Sequence, residues 1–356
     1  MTLNLKNMGL VAMRWLLGGV FVFSGLVKCV DPVGTSIFVE KYLATYSLDS
    51  LTHLLLPIAV ALSSVEVLVG ILLIIGLLRR RVAIATTAII AAFSVVTLLS
   101  ATILPIGDCG CFGDAVKLTP WQTFAKNVVL LVLSILLWRH SKEDRVVWLR
   151  TTVVVIAVLA LPIGINLYSL RYLPLVDFLP YKVGVELRKE VVREREAADV
   201  KSVLIFRNST TGEIVEFSAE DTSCWTNPDI EYVDARVESV ASEGDKYSDF
   251  CVYNRDGEDV TRELLEKSGR VAWLCINDAL KLEGTRLSYV ERLFDAYPAD
   301  AIVVLTSTDR AFVAKRLGSE VYTIDAMTLR SIVRADVGVV VLNDGVVEYK
   351  SDIRDI

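Results

Sequence analysis

Two cysteines separated by one glycine are the residues of this sequence best placed to do chemistry. They are Cys109 and Cys111, which we call the sulfur pair, in the segment IGDCGCFGDAVKLTP, with Asp108 and Asp114 on either side. Gly110 has no β-carbon and accepts a positive φ, so it can let the two sulfurs fold towards each other. Three interpretations are open: a redox couple, half of a metal site, or a tight structural turn.

The spacing of the sulfur pair favours the redox interpretation. An extended chain separates Cα atoms two residues apart by at most ~7 Å, which is the outer limit for a disulfide. A ring closed over so few residues is strained, and strained disulfides are easily reduced. Such a short loop also removes little chain entropy, so the bridge would stabilise the fold poorly. A zinc site normally needs four ligands, and His53 is the nearest histidine that could add to the two thiolates, so we predict no metal.

Glu66 is a second candidate, because it lies near the middle of a strongly apolar segment. A carboxylate at membrane depth is costly and is a functional candidate by default. Lys28 and Lys126 are its candidate partners from other segments, and Ser63 and Ser64 are its neighbours on the same segment. A functional Glu66 would carry protons when thiols are oxidised or reduced, whereas a structural one would tie helices together by hydrogen bonds.

The elements that must position these residues are apolar segments long enough to cross a bilayer. Of the 356 residues 53% are hydrophobic, and the mean hydropathy is +0.49. A bilayer core of ~30 Å needs about 20 apolar residues in a helix. Five segments meet or approach that length, and the first lacks a convincing signal-peptide cleavage site, so we expect it to be retained. The predicted spans are 8–27, 54–78, 82–104, 121–138 and 146–170; buried helices of a soluble protein are the alternative.

Basic residues in the short connections predict the orientation of these spans. With the N-terminus in the cytoplasm, the basic run 79–81 lies inside, and the sulfur pair and the C-terminal domain lie outside. In a bacterial inner membrane that outer side is the oxidising periplasm, where a disulfide can persist. Cys29, at the outer end of the first span, could act as a resolving thiol for the sulfur pair, pair with one of its cysteines across helices, or be a stray interfacial cysteine. The loop 28–53 could form a short helix in the interface or simply fill space.

Several motifs together resemble those of the MauE/DoxX membrane proteins, with the MauE branch the more similar. They are FSGLVKCVDP, SSVEVLVGILLIIGLLRR and DCGCFGDAVKLTPWQTFAKN, spread over residues 8–140. The resemblance implies a four-helix membrane bundle associated with periplasmic thiol–disulfide chemistry, and for MauE a role in giving a methylamine dehydrogenase subunit its disulfides. By position it implies that the sulfur pair is the redox pair and that Glu66 is the buried polar residue of the bundle. Cys29 is an addition to the pattern.

The chain after the last span predicts a soluble α/β domain. We place the four-helix membrane domain at 1–141, the fifth helix and a connector at 142–182, and the soluble domain at 183–356. Strands alternate with helices, and the NDG sequence at 343–345 predicts a hairpin turn. The predicted strands are 203–206, 250–254, 271–278, 301–307, 320–324 and two within 337–350; the predicted helices are 260–267, 287–297, 309–317 and 326–334.

This order of elements is similar to a thioredoxin-like fold, but the active-site residues differ. Cys275 has Asp278 where the second cysteine of a C-x-x-C motif would stand, and Val337 occupies the usual place of a cis-proline. A domain without these features should not be a working dithiol oxidoreductase. We therefore expect a degenerate module that docks partners, in which Cys275 is a core thiol. Cys224 and Cys251 could pair in the oxidising compartment.

The leading functional hypothesis is an inner-membrane protein that supports periplasmic thiol–disulfide exchange through the sulfur pair, in the maturation of a partner protein. Its expected partners are membrane lipid and periplasmic protein thiols or a redox partner. The alternative is a non-catalytic scaffold or assembly factor that binds a partner through its outer domain. The sequence identifies no cofactor, and a quinone pocket among the helices is a third hypothesis. The net charge of −6 offers no basic face for nucleic acid.

Overall fold

The computed structural model describes residues 5–45, 54–102, 112–116, 118–142, 148–197, 201–208, 214–218, 230–238, 247 and 250–356. The predictions that fall outside the described residues concern the sulfur pair, Asp108, Gly110, Cys224 and the side chain of Asp114. The chain divides into two compact units, Met1–Phe178 and Leu179–Ile356. We call them the membrane unit and the C-terminal unit and describe each by itself.

The described part of the membrane unit is helical. Its helices are α1 (Leu5–Val30), α2 (Pro32–Thr45), α3 (Leu55–Ile75), α4 (Arg79–Thr102), α5 (Pro120–His140) and α6 (Trp148–Arg171). All except α2 are long and apolar enough to cross a membrane, so the five predicted spans are confirmed as helices of a multi-pass membrane protein. Of the two alternatives for the first loop, the structure shows the short helix, which is α2.

Glycines let α1 and α3 approach until their backbones touch. A β-carbon added to Gly18 would lie 2.8 Å from the carbonyl oxygen of Gly70, and one added to Gly25 would lie 2.7 Å from the backbone nitrogen of Val67. Real β-carbons do not come so close, and small residues at such positions are typical of tightly packed membrane helices. The polar side chains of α1 and α3 can therefore reach one another.

Arg14 fastens α1 to the C-terminal end of α3. Its Nε donates to the carbonyl oxygen of Leu73 at 3.0 Å, and its Nη2 donates to that of Ile74 at 3.1 Å. The last carbonyls of a helix have no partners within the helix, so a guanidinium from a neighbouring helix satisfies them. This contact fixes the register of α1 along α3.

A capping box begins α5 shortly after the segment that carries the sulfur pair. The backbone nitrogen of Gln122 donates to Oγ1 of Thr119 at 3.3 Å, and the backbone nitrogen of Thr119 donates to Oε1 of Gln122 at 3.1 Å. Pro120 occupies the first turn, where its missing N–H costs nothing. Buried residues then recur along α5 every three or four positions, as expected for a helix packed on one side. They are Thr123, Asn127, Leu130, Ser134 and Leu137.

The described residues of the C-terminal unit form two sheets. The first is antiparallel with strand order β2-β1-β3 and follows helix α7 (Leu187–Ala197) in the chain. Its strands are β1 (Lys201–Asn208), β2 (Ile214–Ser218) and β3 (Ile230–Glu238). Of these elements the sequence analysis predicted only β1.

The second sheet has six strands in the order β4-β7-β6-β5-β8-β9. Strands β5, β6 and β7 are parallel, while β8 runs antiparallel to β5 and β4 antiparallel to β7. The elements in chain order are β4 (Val252–Tyr253), α8 (Thr261–Glu266), β5 (Arg270–Ile276), α9 (Thr285–Ala296), β6 (Ile302–Thr306), α10 (Arg310–Leu317), β7 (Val321–Ile324), α11 (Ala326–Ile332), β8 (Val337–Asn343) and β9 (Val346–Asp352). Every predicted strand and helix of this region is present, within a few residues of its predicted bounds.

The closing hairpin turns where the sequence predicted. Asp344 and Gly345 join β8 to β9 with φ values of 50° and 81°, and both lie in the left-handed region that a two-residue type I′ turn requires. The side chain of Asp344 also accepts a hydrogen bond from the backbone nitrogen of Gly269 at 2.8 Å, which ties the turn to the start of β5. The prediction of a hairpin turn is confirmed.

Candidate functional site

A buried ion pair joins α1 and α3 inside the membrane unit. Nζ of Lys28 lies 2.8 Å from Oε1 and 2.7 Å from Oε2 of Glu66. It also donates to Oγ of Ser24 at 2.8 Å, and that hydroxyl donates to Oε2 of Glu66 at 2.8 Å. The three N–H groups of the ammonium therefore each have an acceptor, and the carboxylate accepts three hydrogen bonds.

The pair is almost completely shielded from solvent. Glu66 is 2% exposed and Lys28 is 5% exposed. A single charge at this depth would be very costly, whereas an opposite charge with additional hydrogen bonds offsets most of the desolvation cost. The structure shows Lys28 as the ionic partner of Glu66, which was one of the two partners that the sequence predicted.

Ser24 is a part of the site that the sequence analysis missed. It lies one helical turn before Lys28 on α1, and this i, i+4 spacing is the signal that could have found it. The predicted serine neighbours on α3 have other surroundings. Ser63 contacts Asn166 of α6, while the buried hydroxyl of Ser64 has no hydrogen-bond partner among the described residues.

Lys126 of α5 lies over an aromatic ring next to the sulfur pair in the chain. Its Nζ is 4.1 Å from the ring centroid of Phe112, which is a cation–π contact. Phe112 also packs against Phe23 of α1, with the ring centroids 5.5 Å apart. Because Phe112 follows Cys111 directly in the sequence, these contacts fasten the chain just after the sulfur pair to α1 and α5.

The ion pair and Lys126 line the same small cavity of about 40 Å³ within the bundle. The rings of Phe93 and Phe112 form part of its apolar wall. Its polar lining comes from α1, α3 and α5: Ser24, Lys28, Glu66, Lys126 and Asn127. The structure thus brings together the predicted residues Glu66, Lys28 and Lys126 around one small cavity with a mostly apolar wall.

Cys29 lies in a different polar contact, on the side of α1 that meets α6. It is fully buried, and Nδ2 of Asn166 donates to its Sγ at 3.2 Å. The same amide lies 3.2 Å from Oγ of Ser63. A resolving role would therefore require α6 to move, because α6 covers the thiol. The sequence analysis did not predict Asn166 as part of this contact. An asparagine within an apolar span, one turn after Pro162, is the feature that could have revealed it.

Cys275 of the C-terminal unit lies in the middle of the six-stranded sheet. It is fully buried within β5, and burial raises the pKa of its thiol to about 12. Asp278 follows the strand and accepts a hydrogen bond from the backbone nitrogen of Leu280 at 3.0 Å. The expected burial of Cys275 as a core thiol is confirmed. Among the described residues, no group of three or more His, Cys, Asp or Glu side chains could hold a metal ion.

Comparison with known proteins finds a similarity within the membrane unit. Residues 6–140 match the family model described as "Methylamine utilisation protein MauE". No curated protein and no solved structure matches the chain. The matched segment contains α1 to α5, and with them the ion pair, Lys126 and the sulfur pair, whereas α6 and the C-terminal unit lie beyond it.

Proposed function

We propose that this chain is a membrane protein of the MauE family, which is linked to methylamine utilisation, and that it supports thiol–disulfide exchange through Cys109 and Cys111; the match of residues 6–140 to the family model supports the assignment. The single observation that carries the proposal is the position of Phe112. This ring forms part of the cavity that contains Lys28 and Glu66, and it is covalently attached to Cys111. The cavity that contains these two groups is therefore bounded by the residue that directly follows the sulfur pair in the sequence.

The proposed exchange needs no further reactant than a partner dithiol. A thiolate of the partner attacks one sulfur of the Cys109–Cys111 disulfide, so that a mixed disulfide forms and the other sulfur leaves as a thiolate. The second partner thiolate then breaks the mixed disulfide. The partner loses two electrons and two protons, and the sulfur pair gains them as two thiols. The reverse sequence oxidises the sulfur pair at the expense of a partner disulfide.

The Lys28–Glu66 pair has the groups that such an exchange requires. Each leaving thiolate takes up a proton, and each attacking thiol must lose one. Glu66 and Lys28 can hold or release that proton within a region of low dielectric constant, and Ser24 bonds to both of them. We propose that they supply and accept the protons of the sulfur pair.

We further propose that the protein lies in a bacterial inner membrane with its N-terminus in the cytoplasm. Three consecutive arginines, Arg79, Arg80 and Arg81, stand at the start of α4 and support this orientation through the excess of basic residues in cytoplasmic connections. The segment with the sulfur pair and the C-terminal unit would then share the periplasm. Oxidising conditions there favour disulfide chemistry.

For the C-terminal unit we propose a thioredoxin-like module that docks partners. The run β6-β5-β8-β9, with α9 between β5 and β6 and a closing hairpin, supports this assignment. The sequence contains no C-x-x-C motif. The exchange chemistry is therefore assigned to the membrane unit, and the C-terminal unit is assigned a binding role.

Differential alkylation of the full-length protein in intact membranes tests the proposed function. Thiols are blocked before and after reduction with two distinguishable reagents, and the peptide with the sulfur pair is weighed by mass spectrometry. We expect Cys109 and Cys111 to change label together in redox buffers of graded potential. Equal labelling in oxidising and reducing buffers would overturn the proposal in favour of a non-catalytic scaffold. A Cys109→Ser, Cys111→Ser double variant that keeps full function would do the same.

A further inference from the structure

One end of the membrane unit brings together halves of five helices and many of its cationic residues. A buried apolar cluster joins the N-terminal half of α1, the C-terminal half of α3, the N-terminal half of α4 and the C-terminal half of α5. It does so through Leu17, Leu73, Val82 and Leu137, and Val155 in the N-terminal half of α6 packs against it. We call the cations at this end the basic cluster, which consists of Arg14, Arg79, Arg80, Arg81, Arg139, Lys142 and Arg150.

Carboxylates do not balance the basic cluster. The described residues of the five half-helices include no Asp and no Glu. The connection 143–147 adds two acids and one base by sequence, which leaves the charge of this end strongly positive. At the opposite end of the bundle both signs of charge occur, with Asp31, Glu40, Lys41 and Arg171. The excess of positive charge is therefore a property of one end.

Most cations of the basic cluster are accessible to a ligand. Arg80, Arg81, Arg139, Lys142 and Arg150 are exposed. None of them forms a salt bridge or a hydrogen bond with another residue that the structure describes. A guanidinium presents a planar fork of N–H groups that matches two oxygens of a phosphate, and an ammonium adds a point charge. The cluster therefore suits a phosphate-bearing ligand.

Three exposed tryptophans place the basic cluster at the depth of lipid headgroups. Trp15, Trp138 and Trp148 lie on α1, α5 and α6, and each is within two residues of a cation of the cluster. Tryptophan is enriched where the hydrocarbon core meets the headgroups, because its ring is apolar and its N–H donates a hydrogen bond. Arg14 contacts the last carbonyls of α3, so Trp15 is level with the end of that helix. Cations and exposed apolar rings together fit a ligand with an anionic head and apolar tails.

We propose that the basic cluster binds a phospholipid whose headgroup carries a net negative charge. The phosphate accepts hydrogen bonds from the guanidinium groups, and the acyl chains lie against the indole rings and the apolar helix faces. Basic residues next to membrane spans attract anionic lipid in this way, whereas the cation of a zwitterionic headgroup is repelled. The site contains none of the residues of the proposed thiol–disulfide exchange, so either proposal can fail without the other.

Electron spin resonance of spin-labelled lipids tests the preference for anionic lipid. The full-length protein is reconstituted into phosphatidylcholine vesicles with a trace of labelled phosphatidylglycerol or labelled phosphatidylcholine, and the immobilised fraction of each is measured. We expect phosphatidylglycerol to be held several-fold more strongly, and sodium chloride to reduce the difference by screening. Equal immobilisation of the two lipids at low salt would overturn the proposal.

Charge variants locate the site. In Arg80→Gln, Arg81→Gln the preference should fall several-fold, whereas Arg80→Lys, Arg81→Lys should keep most of it. The matched control is Lys41→Gln, Arg171→Gln, which removes two positive charges from the opposite end and should keep the wild-type preference. An equal fall in both glutamine variants would show attraction by total charge alone and would overturn the proposed site.

Inorganic phosphate separates a lipid site from a site for the free anion. At equal ionic strength, phosphate and chloride should reduce the immobilised fraction of phosphatidylglycerol by the same amount, because only the lipid also has acyl chains that bind. A much larger loss in phosphate would show that the cluster binds the free anion and would overturn the assignment to lipid.

Discussion

Nζ of Lys28 on α1 lies within 2.8 Å of both carboxylate oxygens of Glu66 on α3. Both helices are long and apolar enough to cross a membrane. The close packing of the two helices makes this contact possible, because glycines at the crossing let the backbones touch. The pair lines a cavity that it shares with Lys126 and Phe112. A costly arrangement of charge thus lines the same cavity as Phe112, the residue that directly follows Cys111 in the sequence.

The first prediction concerns the stability of the ion pair. Lys28→Met and Glu66→Leu should each lower the free energy of unfolding by about 3–5 kcal/mol, because each leaves an uncompensated buried charge. The double variant should lose much less than the sum of the two, since it removes both charges. Thermal unfolding of the full-length protein in detergent measures all three. Additive losses would show that the two side chains do not interact.

A second prediction concerns the crossing of α1 and α3. Gly18→Ala should destabilise the protein by about 1–3 kcal/mol, because the new β-carbon would lie 2.6 Å from a side-chain carbon of Ile74 and 2.8 Å from the carbonyl oxygen of Gly70. Gly19→Ala is the matched control, because no atom lies within 4 Å of its added β-carbon. It should be neutral or slightly stabilising, as alanine favours the helix. Equal losses in both variants would contradict close packing at Gly18.

The sequence predicted the ion pair only in part, for physical reasons. Glu66 stands out because a carboxylate is rare in an apolar helix, and Lys28 stands out because it lies near the end of another such helix. The choice between Lys28 and Lys126, and the participation of Ser24, depend on the rotation of α1 about its axis. That rotation is fixed by contacts between distant helices, which the spacing of residues in one segment does not specify.

The third prediction concerns the cover that α6 places over Cys29. Asn166→Leu removes the amide that contacts Sγ of Cys29 and Oγ of Ser63, so α6 should pack less tightly there. Alkylation of Cys29 by a membrane-permeant maleimide, followed by peptide mass spectrometry, should become several-fold faster. Tyr168→Leu, at a half-exposed position two residues away, should not change the rate. Unchanged labelling in Asn166→Leu would show that the amide does not hold α6 in place.

A fourth prediction follows from the buried thiol of Cys275. Burial raises the pKa of this thiol to about 12, so the folded protein should hold almost no thiolate at this position at neutral pH. Iodoacetamide at pH 8 should modify Cys275 after denaturation and leave it unmodified in the native protein. Cys251, which is only partly buried, is the internal comparison, in a sample reduced beforehand so that a bridge to Cys224 cannot block it. Rapid native labelling of Cys275 would contradict the burial.

The raised pKa of Cys275 also predicts the direction in which the free energy of unfolding changes with pH. The folded-state pKa lies above the ordinary thiol value of 9.0, so the unfolded state loses this proton first as the pH rises. The free energy of unfolding should therefore fall between about pH 9 and pH 12 and be unaffected by this thiol below that range. Denaturant titrations of wild type and Cys275→Ala at pH 8 and pH 10.5 isolate the contribution. If the free energy of unfolding fell equally in both proteins, groups other than the Cys275 thiol would be responsible for the fall.

The two sheets of the C-terminal unit show what a sequence pattern can reveal. The six-stranded sheet was predicted because strands such as β5 and β8 are almost entirely buried and read as continuous apolar runs. Strands β2 and β3 were missed because apolar residues in them face solvent: Ile214 is 63% exposed and Val233 is 44% exposed. Apolar residues that face solvent blur the alternation of apolar and polar residues by which a half-buried strand is recognised.

The rate of disulfide exchange in a folded variant without the ion pair tests the central claim most directly. The Lys28→Met, Glu66→Leu double variant should keep its fold and its reversible Cys109–Cys111 disulfide. Its exchange with a reduced model dithiol, followed by rapid quenching and mass spectrometry in nanodiscs, should be several-fold slower than that of wild type, because the protons lose their nearby donor and acceptor. Exchange as fast as in wild type would contradict a role for Lys28 and Glu66 in the chemistry of the sulfur pair.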